Sequence, residues 1–196
     1  MVNINPMRIP GNWRQGYVLD YHTLRSVPLG YDEFGRLRFE NTRSEMGELL
    51  YQLKYKSDRS VIDTIVETTA NFIASWHPVL SVILPVPPSR ARTFQPVLEI
   101  AQGLSTRLNI PLRNDCVVKI KNTPELKNIY EYDKRLSLLE NAYTANTAML
   151  KGENVLLFDD LYRSGATLNA ITHAVCGQGE AANVYALALT RTRSIS

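Results

Sequence analysis

The sequence predicts an α/β protein with a mostly parallel sheet flanked by helices. From residue 79 onward, short apolar runs suited to strands covered on both faces alternate with segments of helical periodicity. The length of 196 residues fits one domain with its own core. Such alternation predicts parallel strands with right-handed crossovers, and a ligand site beyond the carboxyl ends of the strands.

The N-terminal part predicts a hairpin followed by two helices. Residues 1–42 are rich in turn residues and aromatics, and Gly35 lies near the turn expected between segments 27–29 and 37–39. Ser44 is placed to cap the first helix, and both helices carry apolar residues at helical spacing. These positions are Met46, Leu49, Leu50 and Leu53, then Val61, Ile62, Ile65, Val66, Phe72 and Ile73.

The region from residue 79 to 190 predicts the α/β core. Four strands and three helices alternate in it, and 155–158 is the clearest buried strand. The strands are expected at 79–84, 116–120, 155–158 and 184–189, and the helices at 97–108, 136–143 and 166–175. All of these elements are expected to belong to one domain spanning 1–196.

Composition excludes several classes of function. The formal net charge of +3 is compatible with anionic ligands but does not require nucleic acid. Apolar runs stay well below the roughly 20 residues of a transmembrane helix, and the first residues do not resemble a signal peptide. Cys116 and Cys176 indicate neither a disulfide framework nor a zinc ribbon, and the three histidines are scattered. We therefore expect a cytoplasmic protein without a metal site of its own.

The most informative stretch follows the expected strand 155–158. Asp159 and Asp160 come directly after it, and a short loop containing Ser164 and Gly165 then opens a helix. A helix N-terminus offers unpaired N–H groups and a partial positive charge to a phosphate. The two carboxylates fit a ligand that carries sugar hydroxyls or a magnesium ion beside its phosphate, because they accept hydrogen bonds from hydroxyls and attract the cation. Ribose 5-phosphate has both features, whereas strand-end acids and an ordinary N-cap do not account for the whole arrangement.

A second stretch, 84–95, follows the first core strand. Its prolines stiffen the exit from the strand, and Arg90 and Arg92 come next. Arginine makes bidentate contacts with phosphate oxygens, so this segment is a candidate pyrophosphate site. The alternative is a solvated loop with two surface arginines.

These stretches resemble the PRPP-binding motif of type I phosphoribosyltransferases, and together they resemble the ComF family of that fold. The family also carries a Leu-Lys-Tyr element, matched here at 53–55. The resemblance implies that Asp159 and Asp160 bind the ribose of phosphoribosyl pyrophosphate (PRPP). It also implies a 5′-phosphate loop of Arg163, Ser164, Gly165, Ala166 and Thr167, and a pyrophosphate segment containing Pro88, Ser89, Arg90 and Arg92.

Residues 121–135 look irregular and charged, and segment 121–130 lies where type I enzymes carry a mobile loop over the active site. Lys121 and Arg135 are the candidate catalytic cations that neutralise the departing pyrophosphate. A segment that is merely solvated is the alternative, because acids at 125, 131 and 133 dilute its positive charge. The chain lacks the four-cysteine zinc ribbon of many ComF relatives, and Arg163 stands where the motif often has threonine.

The resemblance implies a phosphoribosyltransferase in which a nitrogen nucleophile displaces pyrophosphate from Mg-PRPP, with segment 1–42 helping to form a hood over the acceptor. Two alternatives stay open. One is a PRPP or nucleotide sensor without turnover, and the other is a DNA-uptake factor that binds single-stranded DNA. The expected partners are PRPP, an unidentified acceptor, and, as further candidates, single-stranded DNA and a second copy of the chain, with no membrane.

Overall fold

The structure, a computed structural model, describes residues 1–88, 94–120, 139 and 141–193. Within this part of the chain, a five-stranded central sheet has the order β1-β2-β9-β8-β5. Strands β2, β9, β8 and β5 are parallel, and β1 runs antiparallel to β2. The strands span Met7–Arg8 (β1), Gln15–Tyr21 (β2), Val82–Pro85 (β5), Asn154–Tyr162 (β8) and Asn183–Arg191 (β9).

The other elements surround this sheet or extend from it. Two small antiparallel sheets lie outside it, the β3–β4 hairpin and the β6–β7 pair. Their strands span Thr23–Tyr31 (β3), Leu37–Arg43 (β4), Val117–Lys119 (β6) and Tyr143–Ala145 (β7). The helices span Glu45–Tyr55 (α1), Ile62–Trp76 (α2), Pro96–Leu108 (α3), Thr147–Leu150 (α4) and Ala166–Gly177 (α5).

Strand β8 lies between β9 and β5 in the sheet, which is the middle layer of a three-layer arrangement. Val155 and Leu157 pack in the cluster that contains α5 and the β6–β7 pair, while Leu156 and Phe158 pack in the cluster formed by α1, α2 and α3. All four side chains are fully buried. Burying each stabilises the fold by about 1.5–3 kcal/mol, so the strand is a firm support for the polar residues that follow it.

The expected fold class is confirmed, as are several of its elements. The hairpin forms, and helices begin close to the expected positions at 45, 62, 96 and 166. Ser44 caps α1 by accepting a hydrogen bond from the Gly47 N–H at 2.9 Å, and its hydroxyl donates to the Tyr21 carbonyl at 2.5 Å. The cap therefore also ties α1 to the end of β2.

Two elements differ from expectation. Segment 116–120 was expected in the parallel sheet, but Val117–Lys119 pairs antiparallel with β7 instead. Leu112 takes the place beside β5 through a single parallel bridge to Ile83. Tyr143 was expected at the end of a helix but lies in β7, and residues 136–138 of that expected helix lie outside the described residues.

The N-terminal segment contributes more than a hairpin. Residues 15–21 form β2, which pairs with β9 in the central sheet, and sequence reasoning did not anticipate this strand. In the described ranges, the structure contains no helix with the length and apolar character needed to cross a membrane.

Candidate functional site

The candidate site lies where the parallel strands end. Strands β2, β9 and β8 end side by side, since Arg191 is paired with both Tyr21 and Tyr162. The exit from β5 stays next to β8 because the Val86 N–H donates to the Phe158 carbonyl at 2.8 Å. This carboxyl edge is the expected position for a ligand in an open α/β sheet.

Asp159 and Asp160 lie inside β8 rather than after it. The strand was expected to end at Phe158, but it continues to Tyr162 because β9 supplies pairing partners as far as Arg191. Successive residues of a strand point to opposite faces. The two carboxylates therefore leave the sheet on opposite sides, at its carboxyl edge.

Asp160 is held by Lys54, a residue that sequence reasoning had not placed in the site. The Lys54 ammonium lies 2.8 Å from the Asp160 carboxylate, and the two side chains are only 22% and 13% exposed. Burial lowers the pKa of Lys54, but the charge and hydrogen bond of Asp160 outweigh this and raise it above its ordinary value. The only sequence signal was the Leu-Lys-Tyr element at 53–55.

Asp159 faces the opposite, α5 side of the sheet. Burial, followed by the charge of Asp160, raises the pKa of Asp159 to about 7, although its carboxylate accepts the Asp160 N–H at 2.8 Å. Burial and the nearby Asp159 charge together raise the pKa of Tyr143 to about 12. The backbone N–H donors do not offset burial of the charged form of Asp159, and a sugar hydroxyl would supply a further donor.

The loop that follows β8 has the geometry expected of a phosphate loop. Gly165 is the N-terminal cap residue of α5 with φ 78°, a left-handed conformation that favours glycine. The first turn of α5 contains no acidic residue, so the helix itself carries no carboxylate at the positive end of its dipole. Arg163 is exposed, Ser164 and Thr167 are partly exposed, and Ala166 is buried.

Tyr162 determines how tightly this loop turns. A Cβ on Gly165 would lie 2.9 Å from the Tyr162 ring and hydroxyl. The chain therefore needs glycine at this position for two reasons, the backbone conformation and the contact with the ring.

We expect Gly165→Ala to weaken ribose 5-phosphate binding by about tenfold or more, because the ring and the loop must move apart. Gly152→Ala is the matched control, since Gly152 has φ 74° and no atom within 4 Å of the added Cβ. Both variants should lose about 1–2 kcal/mol of stability from the left-handed backbone. Calorimetry and thermal unfolding separate the two effects, and equal ligand affinities for the two variants would contradict a role for this turn.

Tyr21, Arg191 and Tyr162 form a row across the ends of β2, β9 and β8. The Arg191 guanidinium lies 5.8 Å from the centre of the Tyr21 ring and 5.7 Å from that of Tyr162. Its buried Nε has no hydrogen-bond partner among the described residues. Arg191 packs between these two rings and supports Tyr162, which in turn lies against Gly165.

The pyrophosphate and catalytic predictions fall largely outside the described residues. Pro88 follows β5 at the carboxyl edge, whereas Ser89, Arg90, Arg92, Lys121 and Arg135 are not among the residues that the structure describes. Their roles stay predictions. Within the described ranges, no group of three or more His, Cys, Asp or Glu side chains is arranged to hold a metal ion. Two carboxylates beside a phosphate loop suit a magnesium ion that arrives with its ligand.

Comparisons with known proteins bear on the family resemblance and on the fold. No family model matches the chain. It is similar to competence protein ComFC of Bacillus subtilis (strain 168), with 26% identity over 148 residues, which is 75% of this chain and 60% of that protein. Adenine phosphoribosyltransferase from Leishmania tarentolae superposes with a TM-score of 0.50 at 12% identity, covering 95% of this chain and 94% of the other. The enzyme of the same name from Leishmania donovani gives 0.49 at 12% identity, covering 95% and 86%.

The chain thus has the type I phosphoribosyltransferase fold, and its resemblance to the ComF family is confirmed. The match spans about three fifths of the ComFC length. The structural likeness concerns the fold alone, since its sequence identity is low.

Proposed function

We propose that this chain binds Mg-PRPP at residues 159–167 and transfers its phosphoribosyl group to a nitrogen nucleophile. One observation carries the proposal. Two partly buried carboxylates on β8 run directly into a left-handed glycine turn and the open N-terminus of α5. The carboxylates that would bind a diol and the turn that would bind a phosphate are therefore adjacent at the carboxyl edge of the sheet.

The carboxylates take the ribose end in this proposal. Asp159 and Asp160 accept hydrogen bonds from the ribose hydroxyls, and charge-assisted bonds of this kind contribute about 1.5–3 kcal/mol each. Lys54 holds the Asp160 carboxylate in position through their 2.8 Å contact. A hydroxyl that donates a hydrogen bond to Asp159 favours the charged form of its carboxyl group. A bound ribose would therefore take the place of the water molecules that burial removes from this carboxylate.

The turn after β8 takes the 5′-phosphate. The N–H groups of the first turn of α5 have no acceptor within the helix, which leaves them available to phosphate oxygens. The hydroxyls of Ser164 and Thr167 and the cation of Arg163 stand on the same turn. A protonated arginine cannot serve as a general base. We therefore infer that residue 163 holds an anion and takes no part in an acid-assisted purine mechanism.

Catalysis is assigned to positioning and to charge stabilisation. The nucleophile forms a bond to C1 as the C1–O bond breaks, and pyrophosphate leaves with the electron pair. Arg90, Arg92, Lys121 and Arg135 are proposed to neutralise that charge, together with the magnesium ion of the substrate. Electrostatic stabilisation of a leaving group is commonly the largest single contribution to such reactions.

Calorimetry with ribose 5-phosphate and Mg-PRPP tests the binding step. Pyrophosphate release from PRPP, measured with purine and pyrimidine bases, ammonia and simple amines, tests turnover. Binding with turnover supports the enzyme, and binding without turnover supports a PRPP sensor. No binding of either ligand by the folded protein would contradict the assignment of residues 159–167.

The similarity to a competence protein supports a second candidate, a DNA-uptake factor that binds single-stranded DNA. Binding through phosphates weakens steeply with salt, because neutralised phosphates release counterions. Titration of a short oligonucleotide at two salt concentrations, with and without PRPP, tests this candidate separately.

A further inference from the structure

The β3–β4 hairpin is a sheet of its own beside the main fold. Within the part of the chain that the structure describes, its two strands pair with each other and with no further strand. Arg43 joins the base of the hairpin to α1, where it lies 3.2 Å from the Glu48 carboxylate and 3.7 Å from the centre of the Tyr51 ring. A two-stranded hairpin is marginally stable in water, so additional strands would stabilise it.

One face of this hairpin is apolar and exposed. Pro28 is paired with Phe39, and Tyr31 with Leu37. Since alternate residues of a strand point to the same face, these four side chains share one face of the hairpin. Tyr31 is 76% exposed and Phe39 is 49% exposed. An exposed apolar patch of this kind is typical of an interaction surface.

The outer edge of β4 carries a regular row of free backbone groups. The Asp32 N–H donates to the Arg36 carbonyl at 2.9 Å, so hydrogen bonding to β3 begins at Arg36 and continues at alternate residues of β4. The backbone groups of the intervening residues therefore point away from β3; these residues are Leu37, Phe39 and Asn41. Residues 37–42 are all exposed, so this edge is accessible to another strand.

The outer edge of β3 is protected against such pairing. The register of β3 shifts twice, between Thr23 and Arg25 and between Pro28 and Gly30. Pro28 lies opposite Phe39, so its own backbone also faces outward, and it has no N–H to donate. Bulges and prolines are the devices that keep edge strands from pairing. Strand β4 has neither, so it is the edge that is open to a partner.

We propose that β4 pairs antiparallel with β4 of a second copy of this chain, about a two-fold axis at Phe39. The two hairpins then form a four-stranded sheet of order β3-β4-β4-β3 with one continuous apolar face. In this register Arg38 of each copy lies opposite Glu40 of the other, and the two Phe39 side chains are opposite each other. Pairs of opposite charge and of aromatic rings stabilise antiparallel strands. This inference goes beyond the proposed function and does not depend on it.

The charges of β4 select this register over its neighbours. An axis at Leu37 would place Arg36 opposite Arg38, and an axis at Arg38 would place that arginine opposite itself. An axis at Glu40 would place two carboxylates opposite each other. Like charges in directly opposite positions destabilise a strand pair. The order Arg-Phe-Glu at 38–40 is thus complementary to itself only when Phe39 is at the axis.

Charge reversal tests the pairing. Within the hairpin, Arg38 and Glu40 lie opposite the uncharged residues Gly30 and Val27, so reversal creates no like-charge pair there. Arg38→Glu or Glu40→Arg alone should weaken dimerisation by about tenfold or more, because both charge pairs become repulsive. The double substitution Arg38→Glu, Glu40→Arg should restore it, and an equimolar mixture of the two single variants should form a mixed dimer. Arg25→Glu on β3 is the matched control and should dimerise like the wild type.

Sedimentation equilibrium measures these dissociation constants. The pairing of two seven-residue strands is a small interface, so we expect a wild-type dissociation constant on the order of 10–100 μM. A wild type that stays monomeric at about 1 mM would overturn the proposal. So would single variants that dimerise as tightly as the wild type, or a charge-exchanged variant that stays monomeric. A monomeric wild type that binds a short oligonucleotide through Arg38 would assign this edge to nucleic acid instead.

A cross-link tests the position of the axis. Phe39→Cys should form a disulfide between two copies under mild oxidation, because hydrogen-bonded partners in antiparallel strands have Cα atoms about 5.5 Å apart. Cys176→Ser removes the exposed native thiol from the background, and Cys116 is buried. Thr42→Cys is the control, since its two copies would be roughly 20 Å apart in this register. Equal cross-linking of the two variants would overturn the axis at Phe39.

Discussion

The double substitution Asp159→Asn, Asp160→Asn should weaken ribose 5-phosphate binding by at least about 100-fold. Each carboxylate accepts a charge-assisted hydrogen bond from a ribose hydroxyl in the proposed complex, and losing two such bonds removes about 3 kcal/mol or more. The amide oxygens keep the shape of the site but not its charge. Calorimetry on the wild type and the double variant measures the loss, and an unchanged affinity would show that the ribose binds elsewhere.

Asp159→Asn alone provides the stability control for that experiment. The pKa of Asp159 is raised from 3.8 to about 7 in the folded protein, so the folded state holds a proton that the unfolded state releases. Stability therefore falls as the pH rises through that range. The neutral variant lacks this loss, and at about pH 8 its melting temperature should exceed that of the wild type.

The melting temperature should rise by about 2–4 °C for each kcal/mol that the substitution adds to the free energy of unfolding in a chain of this size. The advantage should disappear toward about pH 3, where the wild-type carboxyl group is protonated in the unfolded state, with its ordinary pKa of 3.8, as well as in the folded state. A variant that unfolds at a lower temperature than the wild type at about pH 8 would show that the ionised carboxylate stabilises the fold. Loss of ligand binding with a gain in stability would mark Asp159 as a residue retained for function.

The parts of the site that the sequence predicted are those built from neighbouring residues. Asp159, Asp160 and Gly165 lie within seven positions of each other, after four buried apolar residues. The periodicity of β8, the acids and the glycine turn were therefore all visible in one local pattern. The hairpin turn at Gly35 was predicted for the same reason, since turn chemistry is local.

The parts that were missed depend on contacts between distant residues. Strand β2 finds its partner β9 across most of the chain, since Tyr17 is paired with Leu187. The Lys54–Asp160 pair joins residues that are 106 positions apart. For 116–120, the sequence indicated a strand but not its partner, and β-propensity does not determine whether pairing is parallel or antiparallel. Nothing in the composition of 15–21 showed that it would extend the central sheet.

Lys54→Met should destabilise the protein by about 1.5–3 kcal/mol. The substitution leaves the Asp160 carboxylate, 13% exposed, without its cation, and an unpaired charge in a poorly solvated position is costly. Removing both charges in Lys54→Met, Asp160→Asn should recover much of that loss. A double-mutant cycle measured by chemical unfolding gives the coupling between the two groups.

The exposed pair Lys151–Glu180 is the matched control for that cycle. Its charged atoms lie 2.6 Å apart, but the side chains are 70% and 50% exposed. Exposed pairs are screened by solvent and contribute little, so the corresponding cycle should be additive within error. Equal coupling in the two cycles would show that burial adds nothing to the Lys54–Asp160 pair.

The same lysine should also control the pH at which ribose 5-phosphate binds. The charge of Lys54 lowers the pKa of Asp159, against burial and the charge of Asp160, which raise it. Removing Lys54 therefore leaves Asp159 more protonated near pH 7, where a protonated carboxyl group is a poorer acceptor for ribose hydroxyls. Lys54→Met should bind the ligand more weakly at about pH 7 and recover at about pH 9, where Asp159 is ionised in both proteins. An equal loss at both values would mean that Lys54 acts by fixing the position of Asp160 or by contacting the ligand, and not through the protonation of Asp159.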